Sequence, residues 1–356
     1  MNNEAICWFC GPGGSSEGAE QADLRVLAGV DRDEWARETH LLNLPGAKVF
    51  DFDLMRLTDY SARSTDLARE WIRACGVADP DAWEGLHVFT APCPGFSNAG
   101  KMRLDDPRNR LVFTMLPILA ATPRSRLIFE NVPMFLARKF QPIHDELFGS
   151  LARLGRGHIH PAWLKRYIVV GSDHGLAQCR RRLLFPVMQQ GEAYPSSLRP
   201  SVLRERVLED AIGAGFADPD PYHHALTSIE GRMVRPVQPG ENWKAAIARD
   251  AFVREYADEH RWFEVEKPTG TLRVMGWHEA GSTVVASTDF HISRVEPLHP
   301  DKRRFTAGEK ARLQAFPAHW IILGSPDVRS RLIGDAVPPE LMRQAIEAYF
   351  GHLIEA

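Results

Sequence analysis

A chain of 356 residues, 44% of them apolar and 25% charged, has enough material for a large domain and a smaller one around a real core. No run approaches the roughly 18 uninterrupted apolar residues of a membrane span, and the opening MNNEAICWFC lacks the basic-then-apolar layout of a secretory signal, so a cytoplasmic protein is expected. The formal net charge of −3 selects no partner, because a nucleic-acid enzyme can carry local basic surface on an acidic background.

The first third alternates strand-like and helix-like segments: AICWF, a glycine-rich turn, a helix through Ala19, RVLAGVD, a helix from Glu34 to Asn43, and AKVFDFD. This βαβαβ rhythm predicts a parallel sheet wrapped by helices, with ligands at the carboxyl ends of its strands. It continues through LHVFTAPC, a helix from Arg110 to Ala121, RLIFENVP, a helix near Ile143 to Leu154, and WLKRYIVV. From about Phe185 to Arg304 the pattern breaks into Pro-, Gly- and His-punctuated pieces with short β-rich runs between them. Helical patterning returns with TAGEKARLQAF and PPELMRQAIEAYFGHLIE. The expected division is a first domain over 1–185, a second, irregular one over 186–304, and a segment over 305–356 that returns to the first.

Chemistry-bearing residues fall where the strands end. In FCGPGG, Gly11, Gly13 and Gly14 let the backbone pass close to a ligand beside a helix N-terminus, although such turns also simply join strands to helices. Asp31 closes the second strand about twenty positions on, where a ribose would be held, and Asp53 closes the third. Either carboxylate can instead cap the helix that follows it. TAPCPGFSNAG sets Cys93 in a stiff turn that would hold a thiol outward, while the bland alternative is an inert buried cysteine. FENVP brings Glu130 to the same edge. In QCRRRLLF, the residues Gln178, Arg180 and Arg182 would share one face of a strand, where a guanidinium can grip a base carbonyl or phosphate, or merely protect a sheet edge. The five cysteines, Cys7, Cys10, Cys75, Cys93 and Cys179, fit thiols in a reducing compartment, and the CxxC of Cys7 and Cys10 lacks the second pair a zinc site needs. His158, His160, His223 and His224 have no supporting cysteines or carboxylates at metal-ligand spacing, so no metal is expected.

Taken in order, these segments resemble the cytosine-C5 DNA methyltransferases. FCGPGG resembles that family's cofactor-binding opening, APCPGFS its catalytic PPCQGFS, ENVP its ENV and QCRRR its QxRxR. DPRNRL resembles the segment ending in a cofactor-contacting leucine, RRFTAGEKARLQAFP the RxLTxRExARLQGFP segment, and IGDAVPP the closing IGNAVPP. The matches run from Phe9 to Pro339, and GFS after the cysteine resembles the DNA-acting branch rather than the branch acting on transfer RNA.

The resemblance implies a Rossmann-like domain dependent on S-adenosyl-L-methionine, with a smaller irregular target-recognition domain. Its last helix, with Gly334 to Pro339, would pack beside the opening motif. Phe9, Gly11, Gly13, Gly14, Asp31, Asp53, Pro92, Leu111, Asp335 and Val337 would line the cofactor pocket. Cys93 would be the nucleophile, Glu130 would contact the target base, Arg182 with Arg180 would bind near its O2, and Ser97 would touch DNA. The expected partner is double-stranded DNA, with a cognate restriction endonuclease admitted by the resemblance, and the expected state is a monomer. Protonation of Glu130 when it donates to the base would be favoured by burial and opposed by the arginines. Sequence readout would fall to the region from about 190 to 300, where Arg232, Arg235, Arg249, Arg254, Arg261 and Arg273 are candidates, each also readable as a solvated arginine. Two positions depart from the family pattern: Pro94 stands in place of glutamine and Asp335 in place of asparagine.

Overall fold

Apolar runs bounded by turns become the strands of a single seven-stranded sheet in the computed structural model, which describes residues 2–93, 95–96, 102–157, 161–202, 204–221, 225–259, 273–286 and 297–354. The strands are β1 (Glu4–Trp8), β2 (Arg25–Val30), β3 (Lys48–Phe50), β4 (Leu86–Phe89), β5 (Arg126–Asn131), β6 (Ile168–Val170) and β7 (Arg181–Val187), in the spatial order β3-β2-β1-β4-β5-β7-β6. The first five run parallel, as the βαβ rhythm predicts, but β7 lies antiparallel to both β5 and β6. The expectation of a purely parallel sheet is corrected there: β6 and β7 are joined by residues 171–180, whose only regular piece is the 3-10 turn Gly171–His174, with no helical crossover of the kind that returns a chain parallel. β4 is buried at every position and β1 at all but its first, which is why both read as continuous apolar runs instead of alternating ones.

Two of the first three α-helices start where a side chain satisfies the first amides. Asp33 accepts from Ala36 N–H to open α2 (Glu34–Asn43), after α1 (Gly14–Gln21). Ser61 caps α3 (Ala62–Cys75), a helix absent from the sequence reading because its apolar residues Ala68, Trp71, Ile72 and Cys75 cluster in its second half. The expected helix from Arg110 to Ala121 is a 3-10 segment, Pro107–Thr114, continuing into α4 (Met115–Ala121), and α5 spans Gln141–Arg153. WLKRYIVV is strand only over its last three residues.

Two compact units emerge, each from discontinuous chain. The first comprises Met1–Val170, Arg181–Ser201 and Ala336–Ala356, and holds the sheet. In it the helix Pro339–Ile354 packs on α1 so closely that a Cβ added to Gly18 would lie 2.4 Å from the Pro339 carbonyl oxygen and 2.7 Å from Met342 Cβ. This is the helix that returns to the opening motif. Gly334 and Asp335 end the preceding helix, Pro326–Asp335, in the second unit. Inside the sheet, Trp8 Nε1 donates to His87 Nδ1 at 3.0 Å and His87 Nε2 meets Thr122 Oγ1 at 2.9 Å, so the donor-only indole fixes the neutral tautomer of a ring with no exposure. Burial pushes His87 down to about 3.

The second unit comprises Gly171–Arg180 and Val202–Asp335. Among its described residues, short helices and isolated bridges stand where β-rich runs were expected. Two apolar clusters organise it, one around Leu208, Met275, Phe305, Leu313 and Ile333, the other around Met233, Trp243, Val253, Val274 and Leu298. Phe305, Leu313 and Ile333 in the first cluster explain why 305–335 groups with this unit and not with the sheet. Arg304 and Glu230, both buried, pair at 2.8 Å, and Thr306 and Glu309 form a reciprocal cap for the helix Ala307–Leu313.

Candidate active site

Parallel strands deliver their carboxyl ends to one edge of the sheet, and the residues singled out in β1, β2, β4 and β5 meet there. After β1 the backbone turns through left-handed conformations at Phe9 (φ 59), Gly11 (φ 54) and Gly13 (φ 100). A non-glycine in that region stores about 1 kcal/mol or more. The Gly11 N–H donates to Asp31 Oδ2 at 2.9 Å, and the other Asp31 oxygen accepts from Asp33 N–H at 2.9 Å. Asp33, not Asp31, caps α2, so helix capping does not account for Asp31. Desolvation raises the Asp31 carboxyl above the usual carboxylate range against the pull of those two amides. A Cβ built on Gly11 meets no atom within 4 Å, which leaves open space beside the partly buried Asp31 carboxylate. That combination fits a nucleoside carrying a positive charge. Asp53 is different: it is exposed and caps the turn Leu54–Leu57 through Met55 N–H at 3.2 Å, the second of the two readings.

The turn after β4 is clamped from several sides. Thr90 Oγ1 donates to the Phe9 carbonyl at 2.8 Å, and Asn131 Nδ2 donates to the Ala91 carbonyl at 3.2 Å. Phe96 N–H donates to the Cys93 carbonyl at 2.9 Å, and the Phe96 ring, wholly buried, sits edge-on to Phe135 and Phe140. A Cβ on Gly95 would fall 1.9 Å from Asn109 Oδ1. Asn131 and Asn109 are therefore positioning residues for the turn; their signal lay inside ENVP and DPRNRL, motifs read for other members. Cys93 itself is half-buried and Pro92 exposed.

Glu130, 6% exposed, is the next-to-last residue of β5, and Arg182 pairs with it, Nε to Oε1, at 2.9 Å. Both lie in the first unit. Arg180 does not share their face, because the strand begins only at Arg181. It is buried in the second unit and donates to the carbonyls of Val284 at 2.9 Å and Gly334 at 3.1 Å, while Gln178 donates to Leu313 and Gln314. The alternating face Gln178, Arg180, Arg182 is thus corrected: the first two serve the internal scaffold of the second unit. Leu111 and Val337 are buried in the first unit, and Asp335 is exposed in the second. Pro94, Ser97, Arg261 and the histidines at 158, 160, 223 and 224 lie outside the described residues.

Of the other arginines read as base contacts, Arg249 pairs with Glu241 and Arg273 with Glu279, Arg232 stacks on Phe252 at 3.8 Å, and Arg254 donates to the Ile247 carbonyl. Arg235 is exposed. Cys7 and Cys10 are buried, and desolvation pushes the Cys7 thiol up to about 12 and the Cys10 thiol well above its ordinary value, which makes both poor nucleophiles. No helix among the described residues is long and apolar enough to cross a membrane.

Comparison with known proteins gives a consistent picture. A sequence model of the family described as C-5 cytosine-specific DNA methylase matches residues 5–351. The chain is 25% identical to the Type II methyltransferase M1.HphI of Haemophilus parahaemolyticus over 98% of its own length and 87% of that protein. It is also 25% identical to M.Sau96I of Staphylococcus aureus over 94% and 73%. Among solved structures, an Escherichia coli prophage protein assigned as a DNA modification methyltransferase superposes with a TM-score of 0.67 at 20% identity, covering 99% of each chain. The Schizosaccharomyces pombe Dnmt2 methyltransferase superposes with a TM-score of 0.63 at 14% identity, over 98% of this chain and 99% of the other.

Proposed function

Because the chain belongs to the C-5 cytosine-specific DNA methylase family, we propose that Cys93 attacks C6 of a cytosine flipped out of duplex DNA, in a modification enzyme of the restriction-modification type. S-adenosyl-L-methionine supplies the electrophilic methyl group. The Gly11 to Gly14 turn and Asp31 hold its nucleoside, and Leu111, Pro92 and Val337 shape the surroundings.

Cytosine C5 is a weak nucleophile until the ring is saturated at C6. Bond formation between Cys93 Sγ and C6 pushes the ring electrons toward C5, N3 and O2. Glu130 holds a proton at N3 and Arg182 neutralises charge at O2, so both act on the density that Cys93 creates. After C5 is methylated, loss of its proton restores the double bond and expels the Cys93 thiolate. The target must leave the stack for Cys93 and Glu130 to reach opposite edges of the ring. The second unit is assigned to reading flanking sequence.

The observation that supports this reading above others is the buried Glu130 and Arg182 pair at the sheet edge that also carries the clamped Cys93 turn. Bisulfite sequencing of DNA from a methylation-free host expressing the protein, beside a Cys93→Ala control, tests it. The expected result is a C5 signal confined to one short sequence and lost in the control. Equal signal with Cys93→Ala, or none with the parent, overturns it.

A further inference from the structure

A second feature lies at the active-site end of the sheet, entirely within the first unit. A groove of about 460 Å³ opens between the segment that follows β5 and the edge strand β6. Its floor is apolar, formed by Pro133, Leu136, Ile168 and Val170, and its rim carries two exposed cations, Lys165 and Arg181. Among the described residues, no carboxylate lines it. Neither cation makes an ion pair with a described carboxylate, whereas Arg110, Arg126 and Arg343 elsewhere in this unit are each matched to a glutamate. Lys165 lies in the turn Lys165–Tyr167 before β6 and Arg181 opens the interior strand β7, so blocking strand addition at a sheet edge does not account for them.

Position decides what polyanion fits. Arg181 is the chain neighbour of Arg182 and pairs with Val170 across the β6 and β7 ladder, so it points to the face opposite Arg182. Pro133 follows Glu130 by three residues, a span of about 10 Å. A DNA strand carries one phosphate per nucleotide, so the phosphates immediately flanking a base held at Glu130 fall within that reach. We propose that this groove seats the sugar-phosphate backbone beside the target nucleotide, with Lys165 and Arg181 each on a phosphate and deoxyribose faces on the apolar floor. The proposal rests on DNA being the substrate.

The test is the salt dependence of binding to a labelled duplex of arbitrary sequence, followed by anisotropy, for the parent and for Lys165→Gln/Arg181→Gln. Each phosphate contact contributes about 0.9 to the slope of log affinity against log salt. The double variant is expected to flatten the slope by about 1.8, so that the affinity lost between roughly 50 and 200 mM salt shrinks about tenfold. A control with the same charge change on the exposed outer face of α3, Arg63→Gln/Arg73→Gln, is expected to keep the parental slope. An unchanged slope in the groove variant, or equal flattening in both, overturns the proposal, as does a shift of the groove variant's oligomeric state in sedimentation without a change in slope. Methylation by the parent in the same preparation reports separately on the substrate assignment.

Discussion

Replacing Arg182 with methionine removes a guanidinium from a carboxylate while keeping most of the side-chain volume. The partners are 13% and 8% exposed in their side chains and 2.9 Å apart, so Glu130 would be left with its charge largely out of water. Breaking a buried pair from one side costs about 3–5 kcal/mol, because the surviving charge loses its compensation. With this residual exposure the low end, about 3 kcal/mol, is expected for Arg182→Met. Glu130→Gln/Arg182→Met removes both charges and should recover much of that loss, giving a coupling energy of about 2 kcal/mol in a double-mutant cycle. Urea denaturation of the four proteins at neutral pH supplies the stabilities, and methyl transfer to DNA should fall in all three variants. Additive stability effects, with no coupling above about 0.5 kcal/mol, would mean that the pair is effectively solvated rather than held out of water.

Further expectations follow from the same geometry. Arg180→Gln should lower thermal stability, since it strips charged donors from the Val284 and Gly334 carbonyls, at about 1.5–3 kcal/mol per bond; full stability with lost activity would assign Arg180 to the chemistry instead. Gly18→Ala drives a methyl group into a backbone carbonyl and should cost about 1–3 kcal/mol by differential scanning calorimetry. His40 and His87, held down to about 4 and about 3 by burial, stay neutral in the folded chain while the unfolded chain takes up protons below about pH 6.5. Stability is therefore intact above that pH and falls by about 1.4 kcal/mol per histidine per unit on acidification toward pH 4; a His87→Gln variant with an equally steep urea-derived profile would contradict this. Asn131→Asp places an oxygen against the Ala91 carbonyl and should reduce turnover more than cofactor affinity, measured by single-turnover kinetics and calorimetric titration.

The parallel half of the sheet was legible because its strands are buried on both faces and announce themselves as apolar runs ending in chemistry: AICWF, RVLAGVD and RLIFENVP lie within a residue or two of β1, β2 and β5, while LHVFTAPC starts with β4 and runs four residues past its end at Phe89. What escaped was set by distant partners. Nothing local in QCRRRLLF reveals that Arg180 finds carbonyls at 284 and 334 while Arg182 finds Glu130. The groove was equally hidden, since its wall joins residues 133–137 to residues 165–181 only through strand pairing. Asp31 and Asp53 look alike in sequence; the cap at Asp33 separates them.

The sheet-bearing unit draws on three stretches of chain, and that order matters while the protein is being made. β7 fits between β5 and β6, yet its residues leave the ribosome after both, and Tyr349, whose hydroxyl donates to the Leu184 carbonyl at 3.1 Å, comes far later still. At about 5–20 residues per second, the interval from β5 to that tyrosine is on the order of 10–40 s. Until then α1 lacks the helix that packs on Gly18, and the emerging chain exposes an apolar flank. Slow completion makes this flank the place where chaperone binding during synthesis is expected to concentrate.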